Sequence, residues 1–106
     1  MEKSNIFQEI PEILTEEIFE DIIKADKFKI ERIISFGHSS PQVGWYQSEL
    51  SEWVMVLEGE AILTFETSEE KKLQKGDYIN ILPFVKHKVS WTLPNSKTIW
   101  LAIHYL

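Results

Sequence analysis

The stretch "GWYQSELSEWVMVLEGEAILTF", Gly44 to Phe65, decides how the rest of the chain is read. In its second half, "EWVMVLE" and "EAILTFE" flank Gly59; both runs are rich in β-branched and aromatic residues and alternate in polarity, so they predict two strands. Gly59 is free to adopt positive φ, and the expectation is a hairpin turned at that residue. The first half is wet and aromatic, with Trp45, Tyr46, Gln47 and Glu49 leading up to Glu52. The question is whether that half is a chemical site held up by the apolar half.

Working outward, the chain after Asp26 keeps the same texture. "FKIERIIS", "YINIL", "HKVSWT" and "TIWLAIHYL" are short β-prone runs broken by Gly, Pro, Ser and Asn. Nothing after Ala25 has the length or periodicity of a crossover helix, so the strands pair antiparallel in an all-β barrel or sandwich. "TSEEKKLQKGD" reads as a second turn region ending at Gly76-Asp77. Before Asp26, Ile10, Ile13, Leu14, Ile18, Phe19, Ile22 and Ile23 recur every three to four residues, which predicts an α-helix over Ile10–Ala25 with Thr15 as its cap. One domain follows for residues 1–106, with a helical arm over 1–26 and a β-barrel over 27–106.

Composition narrows the function. The 106 residues include 43% hydrophobic positions, enough for one core. A net charge of −6 repels phosphate backbones and anionic bilayers, so neither nucleic acid nor a membrane is an expected partner. With no cysteine, thiolate nucleophiles and Cys-held metals are excluded. No apolar run approaches the about 18 residues of a membrane span, and the N-terminus lacks a signal-peptide core, so a cytoplasmic protein is expected.

Strand alternation then selects residues for chemistry. Glu52 shares a face with Val54 and Val56, and His87 shares one with Val89 and Trp91. A carboxylate and an imidazole that point into a core need partners; a shared divalent metal satisfies both, and so does a direct hydrogen bond between them. His38 lies in the loop "FGHSSPQ", and His104 alternates near the end of the last strand. No Ser-His-Asp elbow and no Gly-rich phosphate loop is present.

"EWVMVLEGEAIL", with Glu52 seven residues before Gly59, followed by "KGDYINILPFVKHKVSW", resembles the two signature segments of the cupins. The resemblance spans roughly Pro41 to Tyr105, and the whole chain is similar to small single-domain bacterial cupins of unassigned function. It implies a double-stranded β-helix, or jelly-roll barrel, whose lumen commonly holds a divalent metal. Glu52 matches the glutamate of the first segment and His87 the histidine of the second. The two earlier histidine positions fall on Trp45 and Gln47 or on Tyr46 and Ser48, and neither register supplies an imidazole. Pro83 stands one residue later than in the usual pattern, while the spacing from Gly76 to His87 is kept.

The resemblance therefore implies one divalent ion (Mn, Fe, Ni or Zn) on Glu52 and His87, with Gln47, Glu49, His38 or water completing the shell. Trp45, Tyr46, Gln47 and Trp91 are the expected ligand-binding side chains, and Tyr46 and His104 are the candidates to move a proton. Three functions stay open: a small-molecule-binding barrel with or without metal, a metal-dependent isomerase or dioxygenase, and a structural or sensory barrel in which Glu52 and His87 only pair. Small cupins often dimerise, and the apolar row Trp53, Met55 and Leu57 is expected to lie against the helix, a second sheet or another subunit, so a homodimer is expected.

Overall fold

Alternation of side chains builds two facing sheets. The computed structural model describes residues 1–106. Its strands are β1 (Ile18–Ala25), β2 (Phe28–Phe36), β3 (Ser51–Glu58), β4 (Glu60–Phe65), β5 (Glu70–Gln74), β6 (Tyr78–Ile81), β7 (His87–Thr92) and β8 (Lys97–Tyr105). One sheet has the order β1-β2-β8-β3-β6 and the other β5-β4-β7, with every pair antiparallel. Val54, Val56, Ile81, Trp100 and Ala102 of the larger sheet meet Ala61, Leu63, Phe65 and Leu73 of the smaller one in the main core. No helix of the chain is long and apolar enough to cross a membrane.

The stretch around Gly59 is not a hairpin. β3 belongs to the five-stranded sheet and β4 to the three-stranded one, so the chain turns from one sheet into the other at Gly59. Its φ is 90°, and a Cβ there would lie 2.5 Å from Thr98 Oγ1 and 2.7 Å from the Lys97 carbonyl oxygen. The corner works because β8 passes close beneath a residue with no side chain. β5, expected to be part of a turn, is a short strand on β4, and the chain returns to the larger sheet through Gly76-Asp77.

The expected helix over Ile10–Ala25 is also overturned. Residues 18–25 form edge strand β1, so residues 1–26 are not a helical arm, and Thr15 caps nothing. Ile18, Phe19 and Ile23 stand opposite Ile34, Ile33 and Ile30, cross-strand pairs of the kind that stabilise a sheet. The register shifts between Asp21 and Ile23, and this bulge makes a two-residue alternation look like a spacing of three to four. Upstream, Leu14 and Ile10 pack with Ile34, Ile99 and Leu57 in a second apolar cluster behind the larger sheet. Leu57 of the expected apolar row is thus covered by extended chain instead of a helix. Arg32, 6% exposed, ties that chain down: its Nη1 donates to the carbonyls of Ile6 and Gln8 at 2.9 and 2.6 Å, and its Nη2 to Glu20 at 2.8 Å.

Candidate functional site: a lumen lined by paired charges

Register places the polar side chains. Lys29, His104 and Glu52 stand side by side across β2, β8 and β3, on the face that also carries Val54 and Val56. One step along, Glu31 stands opposite Ala102, and Ile33 opposite Trp100. His87 approaches from β7 of the other sheet. Backbone bonds Tyr46 N–H to the His87 carbonyl, 2.8 Å, and His87 N–H to the Tyr46 carbonyl, 3.1 Å, hold the wet segment against β7. All of these except Val56 and Ala102 line a cavity of about 260 Å³ between the sheets, with Gln47, Ser48 and Phe19 also on its wall.

Within the lumen the charges satisfy one another. His87 Nε2 lies 3.0 Å from Glu52 Oε1, and its Nδ1 lies 2.9 Å from the Val85 carbonyl. Both neighbours accept, so both ring nitrogens carry protons when Glu52 is ionised. Burial pushes the imidazole toward its neutral form, but the bond to Glu52, the Val85 carbonyl and the carboxylate charge together outweigh it and raise the pKa above the ordinary histidine value. His104 Nε2 donates to Glu31 Oε1 at 3.3 Å and lies 3.7 Å from Glu52 Oε2. Glu31, 7% exposed, has its pKa pushed up by burial, yet the bond from His104 and the charge of Lys29, 3.6 Å away, bring it below the usual carboxylate value. Burial, assisted by Glu17, Glu52 and Glu31, raises the Tyr46 phenol above its usual pKa despite an opposing hydrogen bond with Ser40. Tyr46 is therefore a neutral donor, its ring 5.9 Å from that of His87.

The structure brings together Tyr46, Gln47, Glu52, His87 and His104, and it separates the rest of the expected set. Trp91 does not reach the lumen. Leu63 pairs with Val89 while the adjacent Ile62 pairs with Trp91, so Ser90 is an extra residue that reverses the alternation and turns Trp91 outward, where Lys72 lies 5.9 Å from its ring. Trp45 also faces out, under Lys88 at 4.6 Å, and Glu49 is exposed. His38 is spent on the backbone: its Nδ1 accepts from Phe36 N–H at 2.9 Å and its Nε2 donates to the Thr15 carbonyl at 3.1 Å. The wall also carries Glu17, Lys29, Glu31 and Trp100, none of which motif spacing selects. The available signal was the alternation Lys29, Glu31, Ile33 in "FKIERIIS", which puts two charges on one face of a strand whose other face carries Arg32.

A resident divalent metal does not fit these residues as arranged. A metal bound by His87 and Glu52 would take one lone pair from each at about 2.0–2.2 Å and require further donors. Here the two atoms are engaged with each other, His104 is turned to Glu31, and no group of three His, Asp or Glu side chains is arranged to hold an ion. The donors are consumed in pairs.

No protein-family model matches the chain, and no curated protein sequence matches it. Solved structures do. A protein of Ralstonia eutropha JMP134, provisionally assigned as a mannose-6-phosphate isomerase, is 36% identical, with 99% of this chain and 98% of that chain covered and a TM-score of 0.92. A cupin superfamily protein of Desulfitobacterium hafniense DCB-2 is 17% identical over 92% of this chain and 84% of that one, with a TM-score of 0.75. An RmlC-like cupin family protein of Methanocaldococcus jannaschii with a double-stranded β-helix fold is also 17% identical, covering 99% and 91%, with a TM-score of 0.77.

Proposed function

The chain belongs to the cupin superfamily, and from that premise we propose that its lumen binds a small polar molecule, with the His87–Glu52 pair rather than a metal ion as the acid–base group facing it. The observation that carries this reading is the pair itself: an imidazole whose two nitrogens are taken by a carbonyl and a carboxylate, on the wall of a cavity of about 260 Å³. His87 supplies a proton that the Glu52 carboxylate holds more tightly than in an ordinary histidine, Glu52 receives one, and the Tyr46 phenol donates without ionising. The blander alternative, a barrel in which the two residues only pair and nothing binds, leaves the volume of the lumen without a use.

Metal analysis of protein purified without chelator, beside Glu52→Gln and His87→Ala, tests the choice of acid–base group. Well under one equivalent in all three proteins is expected. Stoichiometric metal in the wild type, lost in either variant, would overturn the reading.

A second reading is supported by the Ralstonia relative: an isomerase that moves a proton between neighbouring carbons of a sugar or sugar phosphate. Two His–Glu pairs, His87–Glu52 and His104–Glu31, face one cavity, so one can carry the proton between the carbons while the other serves the neighbouring oxygens. Interconversion of D-mannose or D-mannose 6-phosphate with the matching ketose, abolished in Glu52→Gln, would establish it.

A further inference from the structure

One strained residue lies beside the lumen wall. Phe84 has a φ of 64°, in the left-handed region. Glycine takes that conformation freely, whereas a phenylalanine takes it at a disadvantage of roughly 5–30-fold in population. The Phe84 side chain is 63% exposed, so packing does not offset the strain. The offset comes from the backbone, where the Phe84 N–H donates to the Ser48 carbonyl at 2.7 Å.

The turn that carries Phe84 has a second form with the same ends. Leu82–Val85 is closed by the Val85 N–H on the Leu82 carbonyl at 3.3 Å, with Pro83 second and the positive φ third, the arrangement of a type II turn. Turning over the peptide between Pro83 and Phe84 gives a type I turn, in which Phe84 has a negative φ and no strain. The Phe84 N–H then points away from Ser48. The Val85 carbonyl stays on His87 Nδ1, so the acid–base pair takes no part in the change.

What the flip releases is a piece of the wall. Tyr46, Gln47 and Ser48 all line the cavity. Two backbone bonds with His87 fix Tyr46 to β7, but from Gln47 to Leu50 the bond from Phe84 is the one backbone–backbone hydrogen bond. Gln47, Ser48 and Glu49 are also exposed. A segment so lightly bonded opens locally at a small fraction of the global unfolding free energy.

We propose that residues 47–50 are a gate on the lumen and that the Pro83–Phe84 peptide is its latch, closed while Phe84 is left-handed and open once the peptide has turned over. The strained phenylalanine keeps the two forms close in energy, where glycine would hold the gate shut. This rests on the reading of the lumen as a small-molecule site and adds the route by which the molecule enters.

The test needs no ligand. Amide hydrogen exchange and ¹⁵N relaxation dispersion are recorded on the full chain, beside Phe84→Gly and Phe84→Leu. In the wild type Gln47, Ser48 and Phe84 exchange between two states at one common rate, on the μs–ms scale of local opening. Phe84→Gly removes the backbone cost, so the amide at position 84 becomes about 5–30-fold better protected and the exchange at Gln47 and Ser48 fades. Phe84→Leu keeps both the cost and an apolar side chain, and it behaves as the wild type. Exchange confined to residues 82–85, or none at all, would overturn the inference. So would wild-type protection in Phe84→Gly, or a rise in Phe84→Leu equal to that in Phe84→Gly. The His87 ring nitrogens, recorded in the same samples, report the acid–base pair separately, so a failed gate is told apart from a failed pair.

Discussion

At His87 two opposing effects meet, and the sign of their sum sets the pH behaviour of the fold. Burial favours the neutral ring, whereas the Glu52 carboxylate and the Val85 carbonyl favour the charged one and prevail. A folded pKa above the unfolded one stabilises fully below the ordinary histidine value of 6.5 and loses that contribution as pH rises through the folded value. Glu31 acts in the opposite sense: its depressed pKa stabilises above the ordinary 4.5 and is lost as pH falls through the folded value. Urea unfolding across pH is therefore expected to show a stability maximum between these windows, with decline on both sides. In Glu52→Gln the neutral amide no longer favours the imidazolium. That variant should lose roughly 1.5–3 kcal/mol near neutral pH, in the range of a hydrogen bond to a charged group, and should show no alkaline-side decline from His87. An unchanged alkaline limb in the variant would place the titrating group elsewhere.

The elements were legible where alternation runs unbroken and illegible where a bulge interrupts it. Glu52, Val54 and Val56 fall on the lumen face as their spacing predicts, and His87 and Val89 do the same. One extra residue at Ser90 then carries Trp91 to the outside, and the bulge near Ile22 disguises an edge strand as a helix. A bulge leaves no mark in composition, since Ser and Ile suit both regular and bulged strands. Gly59 was visible as a special backbone position, but whether it turns a hairpin or a corner depends on β8, far away in sequence. The corner makes its own prediction. Gly59→Ala drives a Cβ into Thr98 and the Lys97 carbonyl and should cost at least about 2 kcal/mol in urea unfolding, beyond the roughly 1–2 kcal/mol of left-handed backbone strain alone. Gly44→Ala, also at positive φ but with nothing within 4 Å, should cost only that backbone strain. Equal losses at the two sites would mean β8 does not run beneath Gly59. Arg32→Ala should release the N-terminal segment, seen as faster amide exchange over residues 5–20 than in the rest of the larger sheet.

Across the whole molecule, the outward face of the larger sheet is where we expect a second copy to bind. Trp53, Met55, Leu101 and Ile103 stand there half-buried, with Tyr78 5.3 Å from Trp53 and 65% exposed. An apolar sheet face of this kind is best covered by a second copy, and sedimentation should give twice the chain mass of 12.5 kDa, shifting toward monomer in Trp53→Lys. A wild-type particle of 12.5 kDa at micromolar concentration would contradict it. The cavity between the sheets is lined by the other face of the larger sheet, and the state of His87 is the most direct test of the proposed acid–base pair. A ¹⁵N spectrum of the imidazole ring, recorded near pH 6.5 with and without one equivalent of Ni²⁺, reads the pair alone. Both ring nitrogens are expected to be protonated, with no change on adding the ion; an unprotonated Nε2 that shifts or broadens with Ni²⁺ would contradict the pairing of His87 with Glu52.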